Sequence, residues 1–198
     1  QLTGQGRRLA VLAVDPSSPT SGGALLGDRL RMTQAGQHDG LFIRSLASRN
    51  QLGGLAAEVW PMSQVMLAAF DIVLIETVGV GQSEVDIAGM VDTTVYVVQP
   101  ASGDSIQFIK SGIMEIPDII VVNKMDLGAP ASRAANDLKQ VVHRTGKNSG
   151  WQVPINKVSA RDRQGVDSCV ESLSSHRQYL IDNGLLSSVR SAQQAVWV

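Results

Sequence analysis

Residues 119–126 read Ile-Ile-Val-Val-Asn-Lys-Met-Asp, and no other segment indicates the fold as clearly. The first four side chains are apolar and β-branched, as in a strand that is buried on both faces of a parallel sheet. Polar side chains follow at once, at the carboxyl end of that strand. Because ligands bind beyond the carboxyl ends of the strands in open α/β sheets, this segment predicts both a strand and part of a binding site.

Four further apolar runs have the same character, and segments long enough for crossover helices lie between the runs. The predicted strands are Leu9–Val14, Ile72–Ile75, Thr94–Val98, Ile119–Val122 and Val153–Val158. The predicted helices are Gly54–Phe70, Ser105–Glu115 and Ala131–Arg144. Alternation of strands and helices predicts an α/β fold with a doubly wound, mainly parallel sheet and flanking helices. Polar or glycine-bearing segments follow all five strands, so we expect them to form one continuous rim.

The composition narrows the classes of function. With 198 residues, 43% of them hydrophobic, the chain can bury the core of one ordinary domain. The net charge of −1 gives no basic surplus, so nucleic acid is not an expected partner. No apolar run is long enough to span a bilayer, so a membrane is not an expected partner either.

Cysteine and histidine give no sign of a metal centre. The single cysteine, Cys169, cannot form an internal disulfide, which favours a reducing, intracellular setting. The three histidines are scattered, and we expect each of them at the surface: His38, His143 and His176. None of these residues has the spacing of a zinc site.

The loop after the fourth strand carries side chains suited to guanine. The Asp126 carboxylate can accept hydrogen bonds from the ring N–H and the exocyclic amine of guanine, a pair of donors that adenine lacks. Asn123 is expected to tie the loop together, and Lys124 to lay its aliphatic stem over the base. Ser159 and Ala160, after the last strand, would offer backbone N–H groups to the guanine oxygen. The alternative for this loop is a plain surface turn.

Two further segments suit phosphate and magnesium. Gly79, in residues 76–82, would let the backbone approach a terminal phosphate, and Glu76 at a strand end could hold a magnesium-bound water. Asp15 ends another strand, and Asp28 follows a glycine-rich stretch, where it could handle magnesium or water. The alternatives are a glycine-rich turn and a loop with a solvated salt bridge.

Gln107 and Lys110 form a fourth element. They are three residues apart and share a face if the segment is helical. Lys110 could then meet phosphate charge or Asp104. The alternative is a solvated helix face.

Phosphoryl chemistry on this fold normally uses the glycine-rich pattern Gly-x-x-x-x-Gly-Lys-Ser/Thr, and the sequence lacks it. Only Lys147 follows a glycine, and its neighbours do not fit the pattern. The loop would lie upstream of Leu9. Because the chain begins with glutamine, we expect the first strand and the phosphate-binding loop (P-loop) to belong to a longer parent protein.

The same segments resemble a known family. The resemblance rests on five of them: VLAVDPSSPTSGGALLGDRLRM within Ala10–Met32, IETVGVGQSEVDIAGMVD at Ile75–Asp92, SGDSIQFIKSG at Ser102–Gly112, Asn123–Asp126, and Ser159-Ala160. Together they resemble the GTPase chaperones of adenosylcobalamin-dependent methylmalonyl-CoA mutase, the MeaB/ArgK group of P-loop GTPases.

The resemblance implies a protein that binds GTP or GDP with Mg²⁺, hydrolyses GTP slowly, and gates cobalamin loading and protection of an acyl-CoA mutase. It implies a homodimer, in the cytoplasm or, in a eukaryote, the mitochondrial matrix. Residues 1–175 would be a truncated GTPase domain, and residues 176–198 the start of a C-terminal dimerisation arm. The resemblance also assigns roles to six side chains. They are the metal- and hydrolysis-related acids Asp15, Asp28 and Glu76, the partner-responsive switch residues Gln107 and Lys110, and Arg31 beside the first switch.

Three other interpretations remain open. The missing glycine-rich loop favours an inactive fragment that acts only as a protein-binding module. Older descriptions of the family suggest an arginine/ornithine transport-system kinase, which the guanine-type loop at Asn123–Asp126 disfavours. A nickel-insertion GTPase would share the general fold but usually carries histidine- or cysteine-rich metal sites.

Overall fold

The computed structural model describes residues 2–15, 39–47, 58–77, 83–100, 116–145 and 150–197. The chain divides into two compact units, Gln1–Ile87 and Ala88–Val198. The strands are β1 (Leu9–Asp15), β2 (Leu41–Ala47), β3 (Ile72–Thr77), β4 (Val95–Val98), β5 (Ile119–Val122) and β6 (Ile155–Lys157). The helices are α1 (Val59–Ala69), α2 (Ser83–Ala88), α3 (Ala129–Thr145), α4 (Val166–Asp182) and α5 (Leu185–Trp197).

The first unit contains a three-stranded parallel sheet in the order β2-β1-β3. The central strand β1 is almost continuously apolar, and Ala10, Leu12, Ala13 and Val14 are all at most 5% exposed. Helix α1 buries a single face, which carries Val59, Trp60, Ser63 and Met66. That spacing of three and four residues is the periodicity of an amphipathic helix.

Strand β2 was not predicted from the sequence. From Leu41 to Arg44 its side chains alternate between half-buried and exposed, with Phe42 and Arg44 exposed. Within the described sheet β2 lies at the edge and has one partner, β1. Arg44 and Ser45, on opposite faces of the strand, interrupt the apolar run that marks the other strands. Phe42 stacks on Phe70, with the ring centroids 5.7 Å apart.

The second unit contains a parallel sheet in the order β4-β5-β6, covered by helices on both faces. Ile120 and Val122 pack in one cluster with Ala131, Ala134, Ala135 and Leu138 of α3. Ile119 and Val121 pack in the other cluster, against Val166, Cys169 and Leu173 of α4. Because alternate side chains enter two cores, β5 is apolar at every position, as residues 119–122 predict.

Helix α4 begins directly after Gly165, which adopts the left-handed conformation with φ of 73°. A Cβ atom there would collide with the Lys157 carbonyl oxygen, so the turn from β6 into α4 requires glycine. The helix then continues without interruption across residues 175 and 176. The domain boundary predicted there stays a prediction.

The predicted α/β architecture of parallel sheets with flanking helices is confirmed. The strands pair as two three-stranded sheets, one in each unit. The predicted helix Ser105–Glu115 lies outside the described residues. Across the described ranges, no helix has both the length and the apolar character required to cross a membrane.

Candidate functional site

The carboxyl ends of β4, β5 and β6 meet at one edge of the second unit. Backbone hydrogen bonds join the segments that follow these strands. The Asn123 N–H donates to the Val98 carbonyl at 2.9 Å, and the Met125 N–H donates to the Val158 carbonyl at 3.0 Å. The predicted guanine-type loop and the Ser159-Ala160 segment therefore lie side by side.

Asn123 ties these two segments together. Its Oδ1 atom accepts a hydrogen bond of 2.7 Å from the Lys124 N–H and one of 3.2 Å from the Ala160 N–H. These bonds have the loop-tying character that the sequence predicts for Asn123, and its contact with a purine stays a prediction. The Ala160 N–H, predicted to point at a guanine oxygen, is thus engaged with Asn123, so a bound base would have to share that donor.

Lys124 adopts the left-handed conformation, with φ of 57° and ψ of 42°. That conformation is uncommon for a residue with a side chain and marks a constrained turn. A short 3-10 helix, Met125–Leu127, follows it. The Lys124 ammonium donates a hydrogen bond of 2.6 Å to Gln99 Oε1, at the end of β4.

The Asp126 carboxylate has a defined orientation. Its Oδ1 atom accepts a hydrogen bond of 2.8 Å from the hydroxyl of Ser159, which is fully buried. Its Oδ2 atom lies 3.4 Å from Arg161 Nη2. The Asp126 side chain is 14% exposed, whereas the Arg161 side chain is 73% exposed. A buried hydroxyl and an exposed surface cation therefore hold opposite oxygens of this carboxylate.

The turn after Ser159 is stabilised by charge. Arg161 donates two hydrogen bonds to Asp162, at 3.0 and 3.2 Å. These bonds hold the pKa of Asp162 below its usual range. The pKa of Arg161 is raised, first by the hydrogen bond to Asp162 and then by the charge of Asp126. The Asp162 N–H donates to Ser159 Oγ at 3.1 Å, so the serine hydroxyl links the turn to Asp126.

Two of the predicted acids lie in the first unit, on neighbouring strands. Ala13 of β1 pairs with Glu76 of β3, and Asp15 ends β1 two residues later. Because the strands are parallel, both acids lie at the carboxyl edge of this sheet. Asp28, Gly79, Gln107 and Lys110 lie outside the described residues. No group of three metal-ligating side chains occurs among the residues that the structure covers.

Comparison with known proteins identifies the family. The profile described as methylmalonyl-CoA mutase-associated GTPase MeaB matches residues 1–198. The chain belongs to the MeaB family. It is 36% identical to GTPase ArgK of Escherichia coli, over 98% of this chain and 60% of that protein. It is 38% identical to the mitochondrial methylmalonic aciduria type A homolog of Mus musculus, over 100% of this chain and 48% of that protein.

The fold of this chain is also similar to that of a solved structure. HypB from Helicobacter pylori, crystallised in complex with nickel, superposes with a TM-score of 0.62 and 14% identity, over 88% of this chain and 77% of that chain. At this identity the likeness concerns the fold alone. The chain spans about 60% of the length of its bacterial and archaeal relatives.

The sequence did not indicate three residues that surround the loop at Asn123–Asp126: Gln99, Arg161 and Asp162. Each is a common surface residue, and its contact depends on two strands being neighbours or on the conformation of a turn. Only a known strand order of β4-β5-β6 would have placed Gln99 beside Lys124.

The prediction that His176 lies at the surface is wrong. His176 is 3% exposed, its Nδ1 atom lies 2.8 Å from Thr93 Oγ1, and its ring packs 4.7 Å from that of Trp151. Its position on the inner face of α4, four residues before the buried Leu180, is the signal that could have revealed this. His38 and the side chain of His143 lie outside the described residues.

Proposed function

We propose that this MeaB-family chain binds guanine nucleotide through the carboxyl edge of its second unit. The observation that supports the proposal most strongly is the orientation of Asp126 by Ser159, beside the loop that Asn123 joins to Ala160. A carboxylate accepts hydrogen bonds and donates none, so it suits the N–H pair on the guanine edge.

The hydrogen bond from Ser159 orients the Asp126 carboxylate and thereby contributes to specificity for guanine. Because the Asp126 side chain is mostly covered, a base without two matching donors would leave its charge poorly satisfied. Sites built to hydrogen-bond a particular polar group reject analogues that lack it by about 10⁴-fold. Arg161 must move or share Oδ2 when such a base binds, and its high exposure allows that movement.

We propose that Mg²⁺ accompanies the nucleotide, held by Asp15 and Glu76 together with Asp28. The placement of Asp15 and Glu76 on neighbouring strands, at one sheet edge, supports this assignment. Mg²⁺ prefers a few carboxylates together with waters and phosphate oxygens, and when bound it neutralises charge on the phosphates. Gly79 would approach the terminal phosphate, and Gln107 and Lys110 would couple the phosphate end to a partner.

We propose that the whole protein hydrolyses GTP and gates adenosylcobalamin loading and protection of an acyl-CoA mutase, as a homodimer. The family description, which names a methylmalonyl-CoA mutase, supports this partner. The activity would reside in the cytoplasm, or in the mitochondrial matrix of a eukaryote, where the mouse relative is described as mitochondrial. Residues 1–175 would form the GTPase domain, and residues 176–198 the start of a dimerisation arm.

Competition binding tests the guanine assignment. A fluorescent GDP analogue is titrated into the chain with Mg²⁺ and displaced by GTP, GDP or ATP. We expect displacement by GTP and GDP but not by ATP, and loss of that preference in Asp126→Ala. Asp137→Ala, an exposed aspartate on α3, is the matched control and should keep the preference. Equal displacement by ATP and GTP in the unmodified chain would contradict the assignment, and absence of any binding would favour a protein-binding module.

A further inference from the structure

We propose that Gln99 is a positioning residue for the nucleotide base, because it holds the Lys124 side chain in place across the ends of β4 and β5. This inference rests on the proposed guanine-binding function and adds a residue to the site. Gln99 itself need not touch the base. Its role is to fix the surface on which the base lies.

The first observation is that Lys124 is held at both ends. Its backbone N–H donates to Asn123 Oδ1 at 2.7 Å, and its ammonium donates to Gln99 Oε1 at 2.6 Å. An exposed lysine normally samples many rotamers, because four rotatable bonds separate the charge from the backbone. Two short hydrogen bonds, one at each end, restrict that freedom before any ligand binds.

The second observation is the direction in which the side chain runs. Lys124 follows β5 and Gln99 follows β4, and the Asn123 N–H donates to the Val98 carbonyl, which fixes the two strand ends to each other. The aliphatic stem of Lys124 therefore extends across the carboxyl ends of both strands. This is the edge at which Asp126 is oriented by Ser159.

The chemistry of the pair suits a bound base. The ammonium has three N–H donors and no acceptor, so it must face the oxygen of the Gln99 amide. Because that amide is neutral, the bond orients the ammonium without cancelling its charge. Two N–H donors remain for nucleotide oxygens, while the methylene groups of the stem offer an apolar surface to the face of the purine.

This arrangement predicts a specific pattern of effects. Asp126 distinguishes guanine from other bases, whereas the Lys124 stem supports any purine stacked on it. Loss of the Gln99 contact should therefore weaken binding of all purine nucleotides by a similar factor and leave the ratio between them unchanged. Removal of one hydrogen bond to a charged, exposed group should weaken binding roughly fivefold.

The test is a double-mutant cycle on the 198-residue chain. Fluorescent GDP is displaced by GDP and by inosine diphosphate, which lacks the 2-amino group that Asp126 would read. The variants are Gln99→Met, Lys124→Met, their combination, and Gln99→Glu, whose carboxylate can accept the same hydrogen bond. Because Gln99 is exposed, the variants should fold, and melting curves verify this.

We expect Gln99→Met to bind both nucleotides about fivefold more weakly with an unchanged ratio, and Gln99→Glu to recover most of the loss. In the Lys124→Met background, Gln99→Met should have no further effect. Unchanged affinity in Gln99→Met, an equal loss in both backgrounds, or an altered ratio would each overturn the inference. If guanine preference disappears with Asp126 but Gln99→Met has no effect, only this inference fails. If the unmodified chain binds no guanine nucleotide, both proposals fail.

Discussion

The buried Ser159 hydroxyl donates to Asp126 Oδ1 at 2.8 Å and accepts the Asp162 N–H at 3.1 Å. One side chain thus links the loop after β5 to the turn after β6. It also determines which carboxylate oxygen of Asp126 remains for Arg161 or for a ligand.

Replacement of Ser159 with alanine should reduce both stability and affinity. The change leaves the Asp162 N–H and one Asp126 oxygen without their partner, which should lower the free energy of unfolding by about 1–2 kcal/mol. Guanine-nucleotide affinity should fall about tenfold, because Asp126 loses an orienting hydrogen bond worth about 1.4 kcal/mol. Urea unfolding and GDP titration measure the two effects. Ser174→Ala, at an exposed position of α4, is the control, and equal effects of the two changes would contradict the account.

The Arg161–Asp162 pair should be visible in a pH titration. Because Arg161 holds the pKa of Asp162 below its usual range, Arg161→Ala should raise that pKa towards the ordinary value of about 4. The depressed pKa means that the pair contributes stability above the unfolded pKa and loses it as pH falls through the folded pKa. Carboxyl NMR shifts follow the titration directly. Arg133→Ala, on α3, should leave Asp162 unchanged, and an unaltered Asp162 titration in Arg161→Ala would show that the pair is not formed in solution.

Helix α5 is attached to the segment before β4 by two side chains. Arg190 makes a bidentate pair with Asp92 at 2.7 and 2.9 Å, and the buried Gln193 donates to the Val91 carbonyl at 2.9 Å. Since the Arg190 side chain is 47% exposed, its removal should change global stability by less than about 1 kcal/mol. Arg190→Ala should instead increase amide hydrogen exchange within α5. An increase in amide hydrogen exchange that is confined to other helices would argue against this attachment of α5.

Two glycines with similar backbone angles should respond differently to alanine. Gly165 and Gly184 both adopt the left-handed conformation, with φ of 73° and 66°. At Gly184 an added Cβ atom meets no atom within 4 Å. Alanine there should lower the free energy of unfolding by about 1 kcal/mol, because only the left-handed backbone conformation is unfavourable. Alanine at Gly165 also meets the Lys157 carbonyl and should be destabilising by about 2 kcal/mol or more. Equal losses in urea unfolding would contradict the close approach of α4 to β6.

The buried strands could be predicted from the sequence because they need an apolar side chain at every position, and this need is visible within the strand itself. β5 enters a core on each face, so every residue of Ile119–Val122 must be apolar, and this run is visible without any knowledge of its neighbours. β2 lies at the edge of the described sheet and carries Arg44 and Ser45 within the strand. A strand whose polar residues depend on its place in the sheet cannot be recognised by an apolar run alone.

The residues of the candidate site fall into two similar groups, those that one short segment reveals and those that only the folded structure reveals. Asn123 and Asp126 belong to one short segment, whose chemistry can be derived from its residue types. Gln99 and Arg161 act through contacts with Lys124 and Asp126, across strands or turns. Such contacts require the strand order and the turn geometry, which the residue types do not specify.

The most direct test of guanine recognition is a change of base preference. In Asp126→Asn, the side chain loses one acceptor oxygen and gains an N–H donor, which suits xanthine because xanthine has a carbonyl in place of the 2-amino group. Affinities for guanosine diphosphate and xanthosine diphosphate are measured with Mg²⁺ for the unmodified chain and for this variant. The account predicts that the preference reverses from guanine to xanthine. An unchanged preference for guanosine diphosphate in Asp126→Asn would contradict it.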